Sequence, residues 1–387
     1  MLLNLINYRH CLKGSSMKNS EIYRFIAGCL ALGYQPELAR PIADRLKSDD
    51  FPIDRFVLMA SNHLVLPAVY HNLRRFELLH YFPEELTYHL EEIFQLNVAR
   101  NEQIIRQVEE ISHCLGKSGI NPVYLKGTGN LLSGLYMYPG ERMIGDIDLL
   151  VEENEYLEAA RLILELGYRD ESRIYTDVKL LKHYPRLFRP DVPADIEIHR
   201  LAVPIEYDRW FTSKSILNSK TAVQERYNVY VPSFIHRTLH NFIHGQLGNK
   251  GYLYRLVPLR DLHDLFLLSQ KVVKGDLVYE IEEKAKTKAD CYFYWMETMY
   301  YGQSVNPAIS SCKSRHFLTQ CTYMLDHPRF HHYYIQLLKL YELLVVRYIG
   351  RIFRAFIYKE SRIHVINRMK DPAWYKMHLR GLKDFFR

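Results

Sequence analysis

Between residues 19 and 118, apolar side chains recur at intervals of three and four, the spacing of helices that bury one face. EIYRFIAGCLALG shows the pattern first and stops at Gly33, and PIDRFVLMASNHLVLPAVYHNLRR repeats it between prolines. Residues 84–118 predict one long or broken helix, with Gly119 as its stop and Asn121-Pro122 just beyond. The period then shortens to two. Val123-Tyr124-Leu125 predicts a short strand, 128–136 a helix, Tyr138-Pro139-Gly140 a turn, and 146–151 a strand. Residues 153–166 predict a helix closed by Gly167, and 183–189 and 194–200 two more strands around a Pro190 to Pro193 turn. After Trp210 the pattern is helical again, apart from VYVPS at 229–233. The fold class expected is α+β, a small mixed-sheet core at 119–210 between helical regions at 1–118 and 211–387. The central part is too short for a doubly wound dinucleotide fold. Met17 lies just ahead of the first helical pattern, so residues 1–16 read as a disordered extension or an overlong start.

Within the expected core, GDIDLLV at 145–151 breaks an otherwise apolar strand with two acids. Side chains two apart on a strand share a face, so Asp146 and Asp148 point together while Ile147, Leu149 and Val151 point to a core. DIEIHR at 195–200 repeats the alternation: Ile196 and Ile198 face inward, and Asp195, Glu197 and His199 share the other side. If the two strands are neighbours, Glu197 meets Asp146 and Asp148, with Asp195 as the substitute in the other register. Like charges held that close require a cation. An Arg or Lys bridge or a solvated face is the bland solution. A metal is the other, and oxygen-rich sets suit Mg²⁺, two of which could clamp an in-line phosphoryl displacement.

Upstream, VYLKGTGNLLSGLY reads as strand, turn and helix start. Backbone N–H groups at such a start attract phosphate oxygens. Gly127 permits close approach, Thr128 adds a hydroxyl, and Lys126 and Arg142 supply positive charge, though either could instead neutralise the acids structurally. The turn is neither a dinucleotide fingerprint, since Leu132 stands where a third glycine is needed, nor a P-loop, since Leu135-Tyr136 follow Gly134.

Taken together, these segments resemble the nucleotidyltransferase superfamily typified by DNA polymerase beta. Its hallmark is a glycine and a small hydroxyl residue on a strand-to-helix turn, an acid–apolar–acid strand, and a third acid on a neighbouring strand. The closer resemblance is to a family of uncharacterised bacterial nucleotidyltransferases with an approximate pattern LKG…LY…pG.R…DiDlLV…vEiH. The matching residues are Leu125-Lys126-Gly127, Leu135-Tyr136, Pro139-Gly140, Arg142, 146–151 and Glu197-Ile198-His199. The superfamily's Gly-Ser pair is Gly127-Thr128 here. The resemblance implies a Mg²⁺-dependent transfer of a nucleoside monophosphate from an NTP to an acceptor: protein, small molecule or RNA. It also implies that Asp146, Asp148 and Glu197 hold metals, that Glu197 orients or deprotonates the acceptor hydroxyl, and that Gly127, Thr128, Lys126 and Arg142 serve the triphosphate. A catalytically inactive nucleotide sensor or interaction scaffold of the same fold is the alternative.

Composition adds a compartment and a charge asymmetry. The six cysteines show no CxxC spacing, which favours a reducing cytoplasm over a disulfide framework or zinc site. No apolar run is long enough to span a bilayer. The net charge is +7, yet residues 313–387 carry 15 Lys/Arg against 5 Asp/Glu while the rest carry 36 against 39. An acidic partner is therefore sought at the C-terminal end. There, 335–358 reads as a buried helix with Arg347, Arg351 and Arg354 on one face. Attachment to an anionic membrane surface and binding of RNA or another polyanion rank behind burial. His236, His240 and His244 fall near one helical face without the acid of HExxH, so packing or polar contacts are expected of them. Arg260, Asp261 and Asp264 are expected to begin or brace a helix.

Overall fold

The computed structural model describes residues 17–170, 181–272 and 281–343. The N-terminal extension and the Arg347, Arg351 and Arg354 stripe lie outside them. The chain divides into two compact units, Met1–Asp326 and His327–Arg387. In the second, the described helix is Pro328–Tyr341. No helix among the described residues is long and apolar enough to cross a membrane.

In the first unit, four helices precede the core: α1 (Asn19–Ala31), α2 (Ala39–Leu46), α3 (Ile53–Asn62) and α4 (Leu66–Arg75). Tyr23, Ile26, Phe56 and Tyr70 are buried in one cluster that also takes Phe266 and Trp295 from the C-terminal helices. The expected long helix is unbroken: α5 runs Glu84–Lys117 over 34 residues, with Glu84 and Glu85 in its first turn and Lys117 in its last, the charge order a helix dipole favours. Gly119 follows at φ +78° and ends it. Leu90 and Phe94 pack into the first cluster, whereas Ile104, Val108, Ile111 and Leu115 pack under the sheet in a second.

Among the described residues, seven strands form one mixed sheet in the order β3-β4-β5-β2-β1-β7-β6. They are β1 (Val123–Tyr124), β2 (Asp146–Leu150), β3 (Arg169–Asp170), β4 (Leu187–Phe188), β5 (Asp195–His199), β6 (Thr221–Ala222) and β7 (Tyr230–Val231). β2 and β5 are parallel and adjacent, in the register Asp146↔Asp195, Asp148↔Glu197, Leu150↔His199. Ile147, Leu149, Ile196 and Ile198 are fully buried against α5 and against α7 (Tyr156–Glu165), so alternation turns the acids and His199 to the opposite face. Burying each of those four contributes about 1.5–3 kcal/mol, which pins the register.

After β5 the described helices of this unit are short pieces, Ile205–Asp208 and Ser213–Asn218, then Phe234–Phe242 running into a π-helical turn Ile243–Gly248, then Gly251–Tyr254, Leu259–Ser269, Glu283–Tyr301 and Cys312–Asp326.

One polar stripe on α5 holds the approaches to both acid-bearing strands. Asn97 Nδ2 donates to the Gly140 carbonyl at 2.8 Å and Asn101 Nδ2 to the Arg142 carbonyl at 2.7 Å. Arg100 Nη2 donates to the Pro193 carbonyl and Gln107 Nε2 to the Ala194 carbonyl, at 2.8 and 2.7 Å. Buried carbonyls in loops need donors, and α5 supplies them immediately upstream of β2 and β5.

Candidate active site

The site is built where β1 turns into helix α6 (Lys126–Leu132) beside the charged face of β2 and β5. The turn is tight. Lys126 takes a left-handed φ of +50°, uncommon for a residue with a Cβ. A Cβ on Gly129 would lie 2.3 Å from the Tyr124 carbonyl oxygen, so only glycine lets this helix approach its own strand. Gly127 is also enclosed: a Cβ there would meet Ile144 at 3.1 Å and Arg142 Nη2 at 3.3 Å.

Lys126 reaches back from this turn, and its Nζ lies 2.7 Å from Asp148 Oδ1. His199 Nε2 lies 2.8 Å from the same oxygen and 3.6 Å from Glu197 Oε2. Arg186 Nη2 donates to Asp146 Oδ2 at 3.0 Å and to Glu197 Oε1 at 2.8 Å, so one nitrogen touches both carboxylates. Asp146, Asp148 and Glu197 are thus gathered together. Asp195 sits at the rim, 3.8 Å from Arg186.

The face closes from rim to centre: Asp195 and Asp146 are partly exposed, whereas Asp148 is only 2 % exposed and His199 is wholly buried. Burial alone would raise the Asp148 carboxyl, but the Lys126 charge and the His199 hydrogen bond outweigh it and hold Asp148 well below the usual carboxylate range. The nearby His199 imidazole, against burial and with the Arg186 hydrogen bond, lowers Glu197 to about 2. Asp146 is raised, by burial first and then by the neighbouring Asp148 charge.

The other residues named from the sequence are placed as follows. Thr128 is buried and its hydroxyl donates to the Asp146 carbonyl at 3.1 Å, tying the turn to β2. Arg142 lies beneath Gly127, but its hydrogen bonds point away from the acids: Nε and Nη2 go to Asp264, the latter at 2.7 Å, and Nη1 to the Met143 carbonyl. The Tyr136 hydroxyl also donates to Asp264, closing a fully internal group. His236 bonds with Ser233 and Ser219. His240 is buried beside Phe211, and His244 faces Asn249.

Two basic residues carry no motif in the sequence. Arg186 precedes β4, whose antiparallel register Leu187↔Ile196 sets it across from Glu197. Lys182 is pinned where its carbonyl accepts from Arg200 N–H and Leu201 N–H, and burial followed by the Lys126 charge lowers its amine to about 8. The only signal for Arg186 was the unbalanced acid trio, which demanded a cation without saying which.

Among the described residues, one set of His, Cys, Asp or Glu offers three ligand atoms within 4.8 Å of one another: Asp148, Glu197 and His199. Two carboxylates and an imidazole are a donor set that fits a divalent ion, while Asp146 lies outside it and shares Arg186 with Glu197. Lys126 and Arg186 occupy these acids as counter-charges that an ion would relieve.

The family model described as an uncharacterised nucleotidyltransferase matches residues 49–295, which takes in the turn, both acid-bearing strands and their helical supports. No curated protein matches the chain.

Proposed function

We propose that this chain, which belongs to the family of uncharacterised nucleotidyltransferases, transfers a nucleoside monophosphate from an NTP to an acceptor and releases pyrophosphate. The observation that carries this reading is the meeting of Asp146, Asp148 and Glu197 on one sheet face, with Asp148 in contact with Lys126 from the adjoining glycine turn. Asp146, Asp148 and Glu197 would hold Mg²⁺, two ions in the fullest case. Bound there, Mg²⁺ neutralises charge on the triphosphate and lowers the pKa of a coordinated oxygen. Lys126 is partly exposed and flexible enough to leave Asp148 for a phosphate oxygen. The amides of Gly127 and Thr128, in the first turn of α6, have no carbonyl one turn back and suit the same anion. Arg142 supports the turn from beneath through Asp264. Glu197 stands at the edge of the set, where it can accept the acceptor's proton as the new O–P bond forms and the bond to pyrophosphate breaks. Protein hydroxyls, small molecules and RNA ends all have the oxygen nucleophile this requires.

The test is transfer of label from α-labelled ATP, GTP, CTP or UTP into a cell extract by the purified chain with Mg²⁺. The double variant D146N/D148N is expected to abolish transfer while its circular dichroism stays unchanged. Full transfer by that variant would reject the mechanism.

One observation favours the sensor reading: Lys126 and Arg186 already neutralise much of the acidic charge internally. Calorimetry showing Mg²⁺-dependent nucleotide binding with no turnover over broad acceptor pools would select it.

A further inference from the structure

We propose that His199 is a nitrogen ligand of the metal site, and that one of its ions is therefore held more tightly as Mn²⁺ than as Mg²⁺. This rests on the metal-site reading above and changes its donor set from oxygen alone to oxygen and nitrogen. His199 closes β5, with its imidazole wholly buried on the sheet face that carries the acids. Its two nitrogens have different surroundings. Nδ1 lies 3.3 Å from the Leu201 carbonyl oxygen, which accepts only, so Nδ1 carries a hydrogen. Nε2 is then the nitrogen presented to Asp148 Oδ1 and Glu197 Oε2, at 2.8 and 3.6 Å, and the proton it donates to Asp148 would leave when it ligates an ion. A backbone carbonyl that fixes one imidazole nitrogen and orients the other is the usual outer support of a metal-binding histidine.

The three side chains cannot easily rearrange. Glu197 and His199 are two apart on one strand, and Asp148 is registered opposite Glu197 on the next, so all three donors leave one sheet face. His183 packs its ring 5.1 Å from that of His199 and bridges the same strand. An imidazole beside two carboxylates discriminates among ions. Mg²⁺ favours oxygen and water, whereas first-row divalent ions take an imidazole nitrogen more readily, and Mn²⁺, the weakest binder of that series, is the one that also suits carboxylates. Asp146 lies outside the three-atom set.

The experiment uses the full chain, stripped with EDTA and titrated with MnCl₂ without nucleotide, with free Mn²⁺ followed by electron paramagnetic resonance. One tight Mn²⁺ should bind, and Mg²⁺ should displace it only at about tenfold or greater excess. Pulsed resonance on the unmodified protein should show nitrogen coupling to bound Mn²⁺. In H199Q that coupling should vanish and Mn²⁺ should bind at least about tenfold more weakly, with a smaller change for Mg²⁺. Bound Mn²⁺ without nitrogen coupling in the unmodified chain overturns the proposal, whatever the variant's folding. Retained Mg²⁺-dependent transfer would then leave the nucleotidyltransferase reading standing. A folded chain that binds no divalent ion and transfers no nucleotide removes both.

Discussion

Two acid–base groups in this protein differ in what surrounds them. Asp264 and Asp148 are almost equally buried, at 4 % and 2 % exposure. Asp264 is held by Arg142 and the Tyr136 hydroxyl, with the Arg260–Asp261 pair beside it, and the Arg142 side chain is only 7 % exposed. Asp148 belongs to a trio of acids, and the cations that answer the trio reach solvent: Lys126 at 21 % and Arg186 at 53 %. The first group is balanced and sealed. The second carries more carboxylates than fixed cations, and those cations can leave. A buried acid is therefore a brace in one place and a candidate ligand in the other, and its partners' freedom makes the difference.

The sharpest way to break this comparison is to remove each acid in turn and measure unfolding in urea. D264A leaves the Arg142 guanidinium buried without its partner and should cost about 3–5 kcal/mol. D148N keeps the shape, and Lys126 can turn to water, so the expected loss is smaller, about 1–2 kcal/mol. Equal losses would erase the distinction.

A second measurement uses pH. Glu197 is ordinarily near 4.5 and is lowered to about 2 in the folded chain. Its contribution to stability is therefore complete above about pH 5 and is lost as pH falls from 4.5 towards 2. E197Q should unfold with a shallower acid dependence across that window, read by fluorescence against pH. An unchanged slope would mean that Glu197 gains nothing from His199 and Arg186.

The smallest effect is expected from R186A. An exposed ion pair contributes at most about 1 kcal/mol, so urea stability should barely move. Divalent-ion affinity by calorimetry should rise several-fold, because the competing guanidinium is gone. A stability loss approaching that of D264A would place Arg186 with the braces.

Much of the architecture was readable from spacing. The apolar stripe of α5 and its glycine stop predicted one long or broken helix, and period-two alternation put Asp146 with Asp148 and Glu197 with His199. Helix bounds at the turn shifted, from the expected 128–136 to Lys126–Leu132, because Lys126 adopts a left-handed backbone that no periodicity reveals. The donors on α5 were invisible for another reason. Asn97, Asn101 and Gln107 look like polar interruptions of an apolar face until the carbonyls they serve, more than forty residues later in the case of Asn97, are in place.

The amino-acid sequence alone determined which residues share a strand face, since that depends only on the two-residue repeat of an extended backbone. It also determined that the acids of two such strands needed a cation. The tertiary structure alone decided which cations answer them, and that Arg142 faces Asp264 rather than the site. It likewise decided that His199 is held by a carbonyl with Nε2 towards Asp148. Those are contacts between segments distant in the chain, selected by packing and by the cost of leaving any buried charge unmatched.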